Sequence, residues 1–186
     1  MHRKKILELL SKHSGYNRNE EQMTRNTIEF IRAHENCFDR ELLIGHVTGS
    51  AWVLDNSGKF VLLMHHRKLN RWFQPGGHCD GDSDVLAVAL KEAIEETGAK
   101  DIKAVNEAIF DVDIHQIPER KGIPAHLHYD IRFLFTADKD SPLLINEESN
   151  DLAWVELSKV KELNSEDSIM RMVDKTYQIK KWLEKS

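Results

Sequence analysis

The sequence predicts a layered α/β fold with a helical segment added at its N-terminus. Three observations carry this. β-forming runs recur from His46 to Val155. A helix with apolar residues on more than one flank interrupts them near residues 83–97. Residues 1–40 carry helical periodicity with a polar side. A helix covered on two flanks belongs in a stack of layers, because each apolar face must bury against another element.

The elements follow in chain order. Ile6, Leu7, Leu9 and Leu10 form a short apolar helix face, and Ser14-Gly15 breaks it. A second helix from Asn19 to about Ala33 presents Met23, Thr27, Ile28 and Ile31 at helical spacing. His46 to Leu54 is rich in β-formers, Asp55-Asn56-Ser57-Gly58 reads as a turn, and Phe60 to Met64 reads as a buried strand. Together they form a hairpin. A helix from Ser83 or Asp84 to Thr97 is capped by one of those two side chains and stopped by Gly98. Its inward stripe is Leu86, Ala89, Leu90, Ala93 and Ile94, with Val85 and Val88 on another flank. Ile102 to His115 and Leu127 to Thr136 read as strands, joined by a loop holding Pro118, Gly122 and Pro124. Leu152 to Val155 is a short strand in which Trp154 is expected to be core. Asp167 to Leu183 closes the chain as a helix with Ile169, Met172, Val173, Ile179 and Leu183 on one face.

Composition narrows the function classes. A length of 186 residues with 40% apolar and 31% charged residues suits one soluble globular domain. A net charge of −5 gives no basic footprint for extended nucleic acid. Two cysteines, Cys37 and Cys79, do not make a disulfide scaffold, so a reducing compartment is expected. The apolar run after Lys5 is too short and too interrupted for a signal peptide, and no run approaches membrane-spanning length. The expectation is a cytoplasmic protein without a membrane partner. The N-terminal helices permit a homodimer.

The most informative stretch runs from Gly77 to Ala99. Its centre is Lys91-Glu92-Ala93-Ile94-Glu95-Glu96-Thr97-Gly98. Glu92, Glu95 and Glu96 stand at i, i+3 and i+4, within an arc of roughly 100° on a helix. Such clusters are common on solvated faces. A glycine loop ahead of the carboxylates points further, to a hard divalent cation that takes oxygen ligands and keeps waters for a phosphate-bearing substrate.

These residues resemble the box of the Nudix hydrolase family, G-x5-E-x7-R-E-U-x-E-E-x-G-U, where U is a bulky aliphatic. Gly77, Glu92, Glu95, Glu96 and Gly98 are in register, and Trp72 to Gly77 before the box and Asp151 to Leu157 after it are also similar to the family. The chain departs at the first acidic position, Ser83, and at the arginine, Lys91. Ala93 and Ala99 are small for aliphatic positions. The resemblance implies an α/β/α sandwich with a mixed sheet over residues 41–186, preceded by a helical extension over residues 1–40. It implies a pyrophosphohydrolase acting on phosphoric anhydride bonds, which cleaves a small-molecule diphosphate with Mg²⁺ or Mn²⁺. The implied metal ligands are Glu92, Glu95 and Glu96 with loop carbonyls at Gly76 or Gly77. Lys91 would orient a box glutamate, with its charge kept and its bidentate fork lost. Ser83 cannot replace a carboxylate and reads as a helix cap, while Asp80 and Asp82 stand nearby. Glu148, six residues before Trp154 beside Glu147, matches where the family places a catalytic base or a further metal ligand.

Histidines are abundant around this stretch: His65-His66, His78, His115, His126 and His128. His126 and His128 alternate and so face one side of a strand. Three readings stay open: a Zn²⁺ site of neutral imidazoles, contact with an anionic phosphate, and ordinary polar strand residues. No spacing matches a known zinc motif. His78, His126, His128, Arg67 and Phe73 are the candidate substrate contacts. Lys68 and Arg71 add charge before the glycine loop, and Trp72 joins Phe73 as a surface for a base. A solvated turn and simple packing explain the same residues.

Overall fold

The structure is a computed structural model that describes residues 2–67, 70–120, 122–146 and 149–183. In chain order the elements are α1 (Lys4–Lys12), α2 (Arg18–Ala33), β1 (Gly45–Asp55), β2 (Phe60–His66), β3 (Arg71–Phe73), β4 (Gly76–His78), α3 (Val85–Thr97), β5 (Lys103–Ile117), β6 (His126–Ala137), β7 (Ser149–Glu156), α4 (Val160–Leu163) and α5 (Asp167–Leu183). The strands form one sheet along the path β3–β2–β1–β6–β5, with β4 against β1 and β7 against β2. This is an α/β fold of a mixed sheet and helices with the expected N-terminal helical segment. No described helix is long and apolar enough to cross a membrane.

The chain divides into two compact units. The first comprises Met1–Ser50, Gly76–Ala89 and Glu107–Phe133. Both of its helices bury one face, and α2 is also capped. Asn17 caps α2 by accepting from the Glu20 amide at 3.0 Å. Ile6 and Leu10 of α1 and Phe30 and Ile31 of α2 are buried. Phe30 stacks on Tyr129 with centroids 3.9 Å apart. The Glu20 carboxylate is buried yet satisfied: it meets His13 Nε2 at 2.9 Å and accepts from the amides of Tyr16 at 2.7 Å and Val112 at 3.1 Å. A buried charge is tolerated only with such partners.

Polar residues also alternate along β1 and β6 in this unit. Thr48 and Ser50 donate to Asp130 Oδ1 at 3.0 and 2.8 Å. Arg132, almost fully buried, meets Asp130 at 2.7 Å, Asp111 at 3.2 Å and Asp113 at 3.3 Å. Burial works against its charge, but the three carboxylates outweigh it and raise the guanidinium pKa. The start of α3 lies close to β1 at Gly49, where a Cβ would come within 2.8 Å of the Val85 carbonyl oxygen.

The second unit comprises Ala51–Pro75, Leu90–Asn106 and Leu134–Ser186. The expected hairpin is present, with Leu54 opposite Val61. Asp55 builds its turn: one carboxylate oxygen accepts from the amides of Lys59 and Phe60 at 2.8 and 2.9 Å, the other from Ser57 Oγ at 2.6 Å. Trp52 is fully buried and donates to Thr176 Oγ1 at 3.0 Å. β7 lies antiparallel to β2 with Trp154 opposite Leu62. Trp154 is half-buried rather than core, while Val155, on the opposite face of the strand, is buried. On α5 the buried stripe of Ile169, Met172, Val173 and Thr176 stops before Ile179, which is exposed.

Candidate active site and a histidine cluster

The box helix begins where sequence chemistry allows. Asp84, not Ser83, supplies the cap: its carboxylate accepts from the Ala87 amide at 3.3 Å and its carbonyl from Val88 at 3.0 Å. Lys5 Nζ holds the other Asp84 oxygen at 2.8 Å. Asp82 accepts from the Asp84 amide at 2.9 Å, and Asp80 forms a two-point ion pair with Arg40. Both acids that stand near Ser83 are therefore already engaged, Asp82 within its own loop and Asp80 by Arg40.

Gly98 ends the helix at φ +69°, and its amide reaches back to the Ile94 carbonyl at 2.8 Å. A Cβ there would lie 2.6 Å from Leu144 Cβ, so glycine is required on two counts. Leu144 in turn donates to the Thr97 carbonyl at 2.8 Å, and Asn146 Nδ2 donates to the Glu95 carbonyl at 3.2 Å. The segment 144–146 is thus fastened to the end of α3.

Glu92, Glu95 and Glu96 grade from buried to exposed. Glu96 is 6% exposed, whereas the Glu92 and Glu95 side chains are 21% and 56% exposed. The buried stripe of α3 runs through Val85, Val88, Ala89, Ala93 and Glu96, while Leu86, Leu90 and Ile94 are half-buried. The helix is therefore rotated from the apolar face its sequence suggests. Lys91 Nζ stands 4.0 Å from Glu92 and 3.8 Å from Glu95.

The remaining candidates fall in several places. Gly76 and Gly77 lie on β4 opposite Ser50 and Gly49 of β1. Arg67 donates to the Ser149 carbonyl and the Asn150 side chain, each at 3.2 Å. Phe73 pairs across the sheet with Met64, and Trp72 stacks on His65 at 5.1 Å. Glu147, Glu148 and Lys68 lie outside the described residues.

The histidines converge. His78 ends β4 opposite Thr48, and His126 and His128 project from β6. They gather around His46 of β1, whose ring lies 5.0 Å from His78, 5.0 Å from His126 and 4.8 Å from His128. His115 approaches His128 at 5.4 Å. Burial lowers the pKa of all three central rings, though at His46 the Leu42 carbonyl works against it. His78 falls to about 4, through burial and Arg40, and His128 to about 2, through burial and the adjoining imidazoles. The three rings are therefore neutral near pH 7.

The NUDIX domain model matches residues 45–175. The chain belongs to the NUDIX domain family. Solved structures of similar fold include a C. elegans Ap4A hydrolase binary complex, with 17% identity and a TM-score of 0.58 over 72% of this chain and 96% of that one. Another is a MutT protein from Methanosarcina mazei Go1, with 18% identity and a TM-score of 0.55 over 74% and 96%. A third is the M. smegmatis Nudix hydrolase RenU, with 17% identity and a TM-score of 0.54 over 73% and 86%. Among curated proteins, none matches the chain.

The donor set on the Nudix helix fits a hard divalent cation in chemistry: three carboxylates on one arc supply oxygen ligands. Among the described residues, His46, His78 and His128 are a set of three whose ligand atoms lie within 4.8 Å of one another. Lys91 already shares Glu92 and Glu95, and an incoming cation must compete with it. Sequence reasoning missed His46. The signal was present as alternation, His46-x-Thr48-x-Ser50 on β1 against His126-x-His128-x-Asp130-x-Arg132 on β6, which puts a polar stripe on one face of each strand.

Proposed function

We propose that this Nudix protein is a divalent-metal-dependent hydrolase that cleaves the diphosphate linkage of a nucleoside diphosphate derivative, with water attacking phosphorus. The reading rests above all on Glu92, Glu95 and Glu96, three carboxylates within one arc of a helix in a chain of this family. Their oxygens would hold Mg²⁺ or Mn²⁺. When bound, such an ion neutralises charge on phosphate oxygens and acidifies a water.

The side chains divide the remaining work. Glu92 and Glu95 are accessible enough to turn toward a cation, and Lys91 limits how far they splay. Glu96, being buried, keeps a fixed position with little rotamer freedom to lose. Glu148 is the proposed base and a proposed further ligand; the fastening of Asn146 to the helix end supports that choice. Arg67 offers a guanidinium to phosphate and Phe73 a ring to a base, and His126 is half-buried with a face toward solvent. His78 and His128, as neutral rings, favour neutral hydrogen bonding or metal ligation over charge pairing.

A second reading is a nucleotide-binding sensor without turnover. Two observations favour it: a serine stands at the first acidic position of the box, and Lys91 lies within 4.0 Å of two of the glutamates.

A product-resolved screen with Mg²⁺ separates the two. The panel is oxidised nucleotides, ADP-ribose, sugar nucleotides and dinucleoside polyphosphates. Ap4A heads the last class because a neighbour in fold is an Ap4A hydrolase. Turnover of one class supports the hydrolase. Binding without turnover supports the sensor, and neither binding nor turnover across the panel sinks both.

A further inference from the structure

We propose that His46, His78 and His128 form a binding site for a borderline transition-metal ion of the Zn²⁺ class, built from different ligands than the Nudix helix carboxylates. The inference does not rest on the hydrolase reading.

Four observations carry it. One nitrogen from each of the three rings lies within 4.8 Å of the other two. Tetrahedral coordination with Zn–N of about 2.0–2.1 Å needs nitrogens roughly 3.4 Å apart, so modest ring movements close the set. Second, His46 is 2% exposed and its Nε2 is buried with no hydrogen-bond partner, as is Nε2 of His128. Buried polar nitrogens are ordinarily satisfied, and two unsatisfied ones in adjoining rings call for a shared partner. Third, His46 Nδ1 faces the Leu42 carbonyl at 3.5 Å. A proton on Nδ1 toward that oxygen leaves the lone pair on Nε2, the tautomer a metal ligand needs. Fourth, the three rings come from three strands, β1, β4 and β6, all within the first compact unit. The sheet sets their spacing rather than any flexible loop.

The chemistry of the donors selects the ion. Three imidazole nitrogens suit Zn²⁺, Co²⁺, Ni²⁺ or Cu²⁺ and discriminate against Mg²⁺, which demands oxygen. The charges that face the cluster are mixed: Arg40 opposes a cation, and Asp80, paired with Arg40, offsets it. His126 lies beside His46 and His128, with its Nδ1 against the Pro124 carbonyl at 2.8 Å. His115 lies beside His128 and bonds Asp113 at 3.2 Å. An ion here would pin the strand that carries Gly76 and Gly77 to β1 and β6.

The test uses the full chain, stripped with chelator, and Zn²⁺ alone as the probe. Calorimetric titration in excess Mg²⁺ should give one site per chain. His46→Asn and His128→Asn should each weaken it by about tenfold or more, while Glu92→Gln with Glu95→Gln should leave it unchanged. Because a core histidine variant can misfold, X-ray absorption on the zinc-loaded wild type gives an independent readout. Three or more imidazole nitrogens at about 2.0 Å support the site. An oxygen-dominated shell, the absence of stoichiometric binding, or affinity unchanged in folded His46 and His128 variants overturns it.

Discussion

Lys91 Nζ lies 3.8 Å from Glu95 Oε2, one helical turn further along the same face. The same ammonium reaches Glu92 at 4.0 Å, so one cation sits between two proposed ligands. At 65% exposure this contact contributes little to stability, about 0.3–0.5 kcal/mol for such a pair. In the proposed orienting role a lysine is weak, because a point charge has no preferred angle.

Lys91→Arg should therefore retain or raise kcat on whichever diphosphate the screen identifies, since the planar fork can grip a carboxylate at two points. A large loss of kcat in steady-state assays would show that the lysine has a role of its own.

Glu96→Gln should lower kcat on the order of 10²-fold with the fold intact, a loss typical of removing one preorganised charge-stabilising group. Glu96 is buried and glutamine matches its shape, so circular dichroism and melting temperature should change little. Equal activity at saturating Mg²⁺ would remove Glu96 from the proposed site.

Arg132→Met should destabilise the protein by about 3–5 kcal/mol. The guanidinium is buried against Asp111, Asp113 and Asp130, and its loss strands three carboxylates in a dry environment. Urea unfolding measures this directly. A shift under about 1 kcal/mol would mean that water or proton uptake relieves the carboxylates.

Asp55 should give the hairpin an acid-sensitive stability. Burial raises its pKa, but the hydrogen bonds from Ser57, Phe60 and Lys59 outweigh burial and leave it below the ordinary aspartate value. A carboxyl depressed in the folded state stabilises above its unfolded pKa and loses that contribution as pH falls through the folded one. Asp55→Asn should cost about 1–2 kcal/mol at pH 7 and progressively less below about pH 4. Urea midpoints across that range check it, and a constant gap would show that ionisation is irrelevant there.

Much of the fold was legible in one dimension. The second helix, expected from Asn19, runs Arg18–Ala33, and the box helix ends at Thr97 with Gly98 beyond it. Periodicity and caps are local, so local sequence encodes them. The cap at Asp84 and the inward face of α3 were less legible, because Ser83 and Asp84 have similar capping chemistry and the helix's rotation depends on what packs against it. The exposure of Ile179 and the half-burial of Trp154 belong to the same class.

By itself the sequence determined the family and the carboxylate arc that supplies the proposed oxygen donors, since residues three and four apart on a helix share a face whatever surrounds them. Only the tertiary structure decided that His46, His78 and His128 meet, that Asp80 and Asp82 are already engaged, and that Glu96 turns inward while Glu95 does not. Those outcomes depend on strand register and on which helix face the sheet accepts, and residues dozens of positions apart set both.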